Sequence, residues 1–196
     1  MAYLICIGIG YLLGTFNLAF LLARLKGFDI RTRGSNNPGA SNATITMGWK
    51  IGILVGACDI AKAAVAVLLA RTLFQEVEQA GVIAGVSCVL GHMFPFYLAF
   101  RGGKGFASYM GMILVLNWKF FLIIGIAIIL ITIITDYIAL ATLTTVVSFP
   151  IFMFFSSIGW VIAIIAAVAS VFVILKHIQN FRRILKGEEI GLRKTL

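Results

Sequence analysis

The chain has 196 residues, of which 61% are hydrophobic and only 12% charged, and its formal net charge is +9. So apolar a composition excludes a water-soluble globule of this size, and lipid must be the main solvent. The positive excess does not point to nucleic acid, because most of the basic residues flank apolar stretches; anionic headgroups or anionic substrates suit them better.

A crossing helix needs about 20 apolar residues for roughly 30 Å of hydrocarbon. On that measure the chain contains about seven spans, at residues 2–23, 51–70, 80–100, 106–116, 120–135, 137–155 and 159–176. The expected fold is all-α: a polytopic integral membrane protein forming one domain over residues 1–196. The first span has neither a basic leader nor a small-residue cleavage pattern, so it reads as a span and not as a signal peptide. The fourth is only about 20 Å long and is expected to be re-entrant or to thin the bilayer. A break at Asn117-Trp118-Lys119 separates it from the fifth.

The positive-inside bias tests this count. With seven spans, Arg24, Lys26, Arg31, Arg33, Lys50, Arg101, Lys104, Lys176, Arg182, Arg183, Lys186, Arg193 and Lys194 share one side, which is thirteen of the sixteen basic residues. Arg71 and Lys119 fall opposite, and Lys62 lies inside a helix. The N-terminus is therefore expected outside and the C-terminus in the cytoplasm. Cys6, Cys58 and Cys88 all sit within spans at no metal-ligand spacing and read as small buried apolar side chains. Asp59 and Lys62, three apart within the second span, read as a structural ion pair. Asp136 reads as an interfacial cap before the sixth span.

Three polar islands interrupt the apolar sequence, all on the expected cytoplasmic side. The first is Gly34-Ser35-Asn36-Asn37-Pro38-Gly39-Ala40-Ser41-Asn42, preceded by Arg31 and Arg33. Its glycines and small residues let backbone N–H groups converge on an anion, with Ser and Asn adding neutral hydrogen bonds, as a phosphate requires. A solvated Asx/Pro turn would explain the same residues.

The second island is Gly91-His92, then Pro95, then Arg101-Gly102-Gly103-Lys104-Gly105. Glycines around a lysine at a helix start permit close approach to phosphate oxygens. The leading Gly, the spacer and the Ser/Thr of a Walker A loop are missing, so nucleotide hydrolysis is not implied. Lys104 alone could be a membrane anchor, and His92 a packed histidine bonded to a carbonyl or a substrate contact.

The third island is His177-Ile178-Gln179-Asn180, followed by Arg182, Arg183, Lys186, Glu188 and Glu189. A continuing helix puts His177 and Asn180 on one face, where Asn180 could orient a substrate while His177 moves a proton. A basic amphipathic tail resting on anionic lipid accounts for the arginines, less well for His177.

Together the islands resemble the bacterial acyl-phosphate:glycerol-3-phosphate acyltransferase family, whose polytopic members carry these motifs in this order. The resemblance spans essentially the whole chain and rests on Gly34-Ser35, Asn37, Gly39-Ala40 and Asn42, then Gly91-His92 and Gly102-Gly103-Lys104-Gly105, then His177, Asn180 and Glu189. It implies acyl transfer from acyl phosphate to the 1-hydroxyl of glycerol 3-phosphate at the cytoplasmic face of the bacterial inner membrane. It further implies catalytic Ser35, Lys104, His177 and Asn180, with a substrate site formed by Gly34, Ser35, Asn37, Gly39, Ala40, Ser41, Asn42, His92, Gly102, Gly103, Lys104, Gly105, His177, Asn180 and Glu189. His177 would be the base or hydroxyl orienter, unless the donor's own phosphate oxygen takes the proton.

The expected partners are acyl phosphate, glycerol 3-phosphate and membrane lipid, without nucleic acid. No metal or other cofactor is expected, since no His/Asp/Glu cluster has ligand spacing and lysine can neutralise phosphate.

This chain departs from the family at Asn36, where Gly is common, at Ser41, where Thr is common, and at Ile45, where the family has Arg. The last change removes a cation, and Arg31, Arg33 and Lys50 are the candidates to replace it. A divergent member with another phosphorylated acceptor, or an organic-phosphate transporter, are the alternatives. An acyl-CoA-dependent enzyme would carry Asp five residues after a His, whereas Tyr97 follows His92 and Arg182 follows His177.

Overall fold

The computed structural model describes residues 1–156, 159–191 and 193. Lys194, counted above with the basic tail, lies outside the described residues. Every regular element among the described residues is helical. They are α1 (Ala2–Thr15), α2 (Leu18–Leu25), α3 (Ala40–Met47), α4 (Trp49–Leu73), α5 (Ala80–Met93), α6 (Phe106–Leu116), α7 (Trp118–Thr135), α8 (Ile138–Phe155) and α9 (Trp160–Leu185), with single 3₁₀ turns at Ile30–Thr32 and Phe96–Leu98. Among the described residues six stretches are long and apolar enough to cross a bilayer, and Phe106–Leu116 is a shorter apolar helix of 11 residues.

The expected first span is broken. Asn17 leaves helical geometry with φ −123°, and its side chain accepts from Phe20 N–H to cap α2 while its amide donates to Pro38 O at 2.9 Å. The carbonyls freed at the break are satisfied from elsewhere: Thr15 O accepts from Tyr97 Oη at 2.7 Å, and Phe16 O from Lys62 Nζ at 2.7 Å. Irregular backbone at membrane depth persists only with such partners. The break that was expected is where the sequence placed it, with Asn117 ending α6 and its side chain capping α7 through Phe120 N–H.

Small residues allow α1 to lie directly on α5. A Cβ at Gly10 would stand 2.1 Å from Ala84 O, and one at Gly14 the same distance from Cys88 O, so the two backbones touch through a Gly-xxx-Gly stripe. Helix α6 is enclosed instead of lipid-facing: Ser108 to Ile113 are buried, and Tyr109 Oη shares a hydrogen bond with Ser170 Oγ of α9 at 2.7 Å. Helix α7 is the opposite case, with Ile123, Ile126, Ile129, Ile133 and Ile134 all more than half exposed toward the bilayer. The 26-residue α9 outruns its apolar stretch and carries His177, Asn180, Arg182 and Arg183 of the third island in its last turns, with Lys186, Glu188 and Glu189 following it.

Replacing Gly14 with Val should cost about 1–3 kcal/mol by overpacking, seen as a lower unfolding temperature in detergent. Gly8→Ala on the same helix, where nothing lies within 4 Å, should leave it unchanged or slightly raised.

Candidate active site

The loop from Asp29 to Gly39 is shaped from within. Asp29 accepts from Arg31 N–H at 2.9 Å and pairs with the Arg31 and Arg24 guanidinium groups at 2.8 and 3.0 Å. The hydrogen bond from Arg31 holds its carboxyl down at about 2. Asn42, fully buried, closes the loop: its Oδ1 accepts from Ser35 N–H at 2.8 Å and its amide donates to Ile30 O and Arg33 O. Gly39 then starts α3, whose first-turn N–H groups lack intrahelical partners.

Next comes the Arg101–Gly105 loop. Its Gly103 N–H donates to His92 O at 3.0 Å and Gly102 N–H to Met93 O at 3.1 Å. Gly105 turns at φ +87° into α6, leaving Lys104 at the tip. From α9, His177, Asn180 and Arg183 rise at intervals of three on one face.

These three segments meet around one cavity of about 460 Å³. Lys104 Nζ donates to Asn180 Oδ1 at 2.6 Å, Asn180 Nδ2 donates to Glu189 Oε1, and Glu189 Oε2 accepts from Arg183 Nε at 2.6 Å. The amide of Asn180 has one workable orientation, since an ammonium only donates and a carboxylate only accepts. Burial pulls the Lys104 ammonium down to about 8, opposed by Glu189 and reinforced by Arg183. His177 is buried, and its Nδ1 lies 2.8 Å from Val173 O. A carbonyl cannot donate, so in the neutral ring Nδ1 carries the hydrogen and Nε2 keeps its lone pair. Ser35 Oγ borders the cavity with no hydrogen-bond partner among the described residues.

All the candidate residues line this cavity except Asn42, Gly102 and Gly103, which stand behind its wall and shape the loops. Ile45 does line it. The cations sought in its place do not: Arg31 is spent on Asp29 and Leu98 O, Arg33 lies over the Phe28 ring and Lys50 over Trp49. The second cation on the cavity wall is Arg183, which the sequence reading treated only as part of a basic tail; its position three residues after Asn180 was the available signal. Asp136 does not cap α8. It ends α7 in a left-handed turn at φ +68° and accepts from Arg193 N–H at 2.9 Å, holding the 188–191 segment over the cavity. The Asp59–Lys62 ion pair is present at 2.7 Å, with His92 as an unforeseen third member.

A family model described as glycerol-3-phosphate acyltransferase matches residues 4–187. The chain belongs to this family. The glycerol-3-phosphate acyltransferase 1 of Oceanobacillus iheyensis is 38% identical, covering 98% of this chain and 96% of the relative. The glycerol-3-phosphate acyltransferase of Thermosipho melanesiensis is 36% identical over all of this chain and 94% of its own. Among solved structures, the crystal structure of PlsY (YgiH), an integral membrane glycerol 3-phosphate acyltransferase, in its glycerol 3-phosphate form superposes with a TM-score of 0.91 at 31% identity, covering 98% of this chain and 96% of that one. The lysophosphatidic acid form of PlsY (YgiH) gives 0.89 at 30%. Family membership thus extends over the full length and includes the membrane-embedded fold.

The depressed Lys104 ammonium has a stability signature. With a folded value near 8 and an unfolded one near 10.5, the unfolded chain binds more protons between these limits, so stability should rise with pH across that window. Thermal unfolding in detergent should show this rise, and Lys104→Met should lack it.

Proposed function

We propose that this protein transfers a fatty acyl group from acyl phosphate to the 1-hydroxyl of glycerol 3-phosphate, releasing lysophosphatidic acid and inorganic phosphate. The observation that carries this reading is the mixed lining of the cavity, in which Lys104, Arg183, Asn180, Ser35 and the start of α3 share the wall with Ile53, Phe106, Ile128 and Ile138. An acyl phosphate is amphipathic in the same way, and its tail can stay in lipid while its head reaches the cations.

Acyl phosphate is already an activated mixed anhydride, so catalysis consists mainly of holding two anions close and screening their repulsion. The glycerol 1-hydroxyl oxygen forms the new ester bond to the acyl carbon, and the bond from that carbon to the phosphate oxygen breaks. Phosphate leaves with the electron pair, and the hydroxyl proton goes to His177 Nε2. Lys104 and Asn180 hold the glycerol phosphate. Ser35 and the N–H groups around Gly39, Ala40 and Ser41 hold the donor phosphate, with Asn37 and Gly34 completing that loop. Arg183 supplies the second cation in a site where Ile45 supplies none. No covalent enzyme intermediate is needed.

The same reading sets the orientation. The loops that form the cavity carry most of the cations, so that face is cytoplasmic by the positive-inside bias, in the bacterial inner membrane, with the N-terminus outside.

The test is phosphate and lysophosphatidic acid formation by purified protein given palmitoyl phosphate with and without glycerol 3-phosphate. Turnover should require both substrates, and Lys104→Ala and His177→Ala should each lower kcat/KM by at least about 100-fold, the range typical of a lost general base or charge contact. Acceptor-independent phosphate release, or full activity in His177→Ala, contradicts the assignment.

A further inference from the structure

Behind the cavity, whose wall includes Asp59 and His92, lies a second ionisable cluster buried between α4 and α5. Asp59, Lys62 and His92 are each less than 8% exposed. Lys62 Nζ stands 2.7 Å from Asp59 Oδ1, 2.9 Å from His92 Nδ1 and 2.7 Å from Phe16 O, while His92 Nδ1 is 3.2 Å from Asp59 Oδ1. One ammonium thus joins α4, α5 and the break in the first span.

The far edge of the same imidazole meets the second island. A Cβ at Gly103 would stand 1.9 Å from His92 Nε2, so the loop backbone lies directly on the ring. The main chain of His92 grips the loop as well, its carbonyl accepting from Gly103 N–H at 3.0 Å. The residue after Gly103 is Lys104, whose Nζ reaches Asn180. Charged groups desolvated inside a membrane protein are costly unless paired, and what paired ones offer over an apolar packing is direction: one ring orientation, hence one loop position.

We propose that the Asp59–Lys62–His92 cluster positions Lys104, by fixing the imidazole on which the Gly102–Gly105 loop rests. These are positioning residues, and the inference rests on Lys104 binding a substrate phosphate. This role is separate from the expected substrate contact of His92, which also lines the cavity: Nδ1 is committed to the buried pair, and the ring packs under Gly103.

His92→Asn tests it, because the amide reaches where Nδ1 stands but leaves the space beneath Gly103 empty. Gly103→Ala disturbs the same contact from the loop side and leaves the buried charges in place. In full-length detergent-solubilised protein with an intact unfolding transition, each should raise the KM for glycerol 3-phosphate tenfold or more while kcat changes less than threefold. Each should also move the alkaline limb of kcat/KM up from about 8, since a displaced ammonium regains water. Combined with Lys104→Ala, neither should add a further loss, as expected of residues acting through one group. Full additivity with Lys104→Ala would show that His92 acts on substrate by itself, and an unchanged KM in either folded variant overturns the proposal. Calorimetric binding of glycerol 3-phosphate reads the same weakening without turnover, so failure of the acyl-transfer reading and failure of this inference are distinguishable.

Discussion

A cation held half out of water inside a membrane protein has to be surrounded by groups that accept its protons without cancelling its charge. The chain Lys104 to Asn180 to Glu189 to Arg183 meets this condition. Asn180 is neutral, so it does not cancel the charge of Lys104. The carboxylate is one residue further off and carries its own arginine. Had Glu189 met Lys104 directly, the ion pair would have neutralised the site. The amide spacer keeps Lys104 out of a direct ion pair, in a cavity wall that also carries Arg183 and the carboxylates of Asp59, Asp136, Glu188 and Glu189, and the four members of the chain come together from the loop before α6, the last turns of α9 and the segment beyond it.

Two buried arrangements make that possible. In the first, Asn17, Lys62 and Tyr97 satisfy the backbone where the first span breaks, allowing α2 to swing aside and the Asp29–Gly39 loop to approach the cavity. In the second, Asn42 ties that loop to α3 through three hydrogen bonds, and Arg31 ties it to the Phe96–Leu98 turn through Leu98 O at 3.0 Å. Residues whose types suggested phosphate contact therefore divide into those that face the cavity and those that hold its loops. Asn42 belongs to the second group although it sits in the middle of the most phosphate-like stretch.

Ile45 lines the cavity at a position where the family resemblance implies an arginine. Cations close by in sequence are already engaged with Asp29, Phe28 or Trp49. Those that share the cavity with Ile45 are Lys104 and Arg183, from other elements, and Arg183 is paired with Glu189. Nearness in sequence was the wrong guide because the loop between Asp29 and Gly39 folds back on itself and turns its arginines outward.

Hydropathy is a local sum, and it sufficed for what depends on local sums. The places of the apolar helices, the break at Asn117 and the shortness of α6 were legible because lipid tolerates no unpaired backbone and each helix satisfies its own; the break at Asn17 and the burial of α6 were not. The residue types of the three islands were legible too, because phosphate-compatible sequence is rare in such a chain. Which faces meet was decided only by the tertiary structure. Helices α7 and α8 are apolar all round, and hydropathy cannot distinguish a face packed on protein from one packed on lipid. Hence the approach of Lys104 to Asn180, 76 positions away, the capture of the C-terminal segment by Asp136, and the joining of His92 to Asp59 and Lys62 had no signature along the chain. Each depends on how packing rotates a helix about its own axis, and the Gly10 and Gly14 contacts of α1 with α5 are among the packing features that set it.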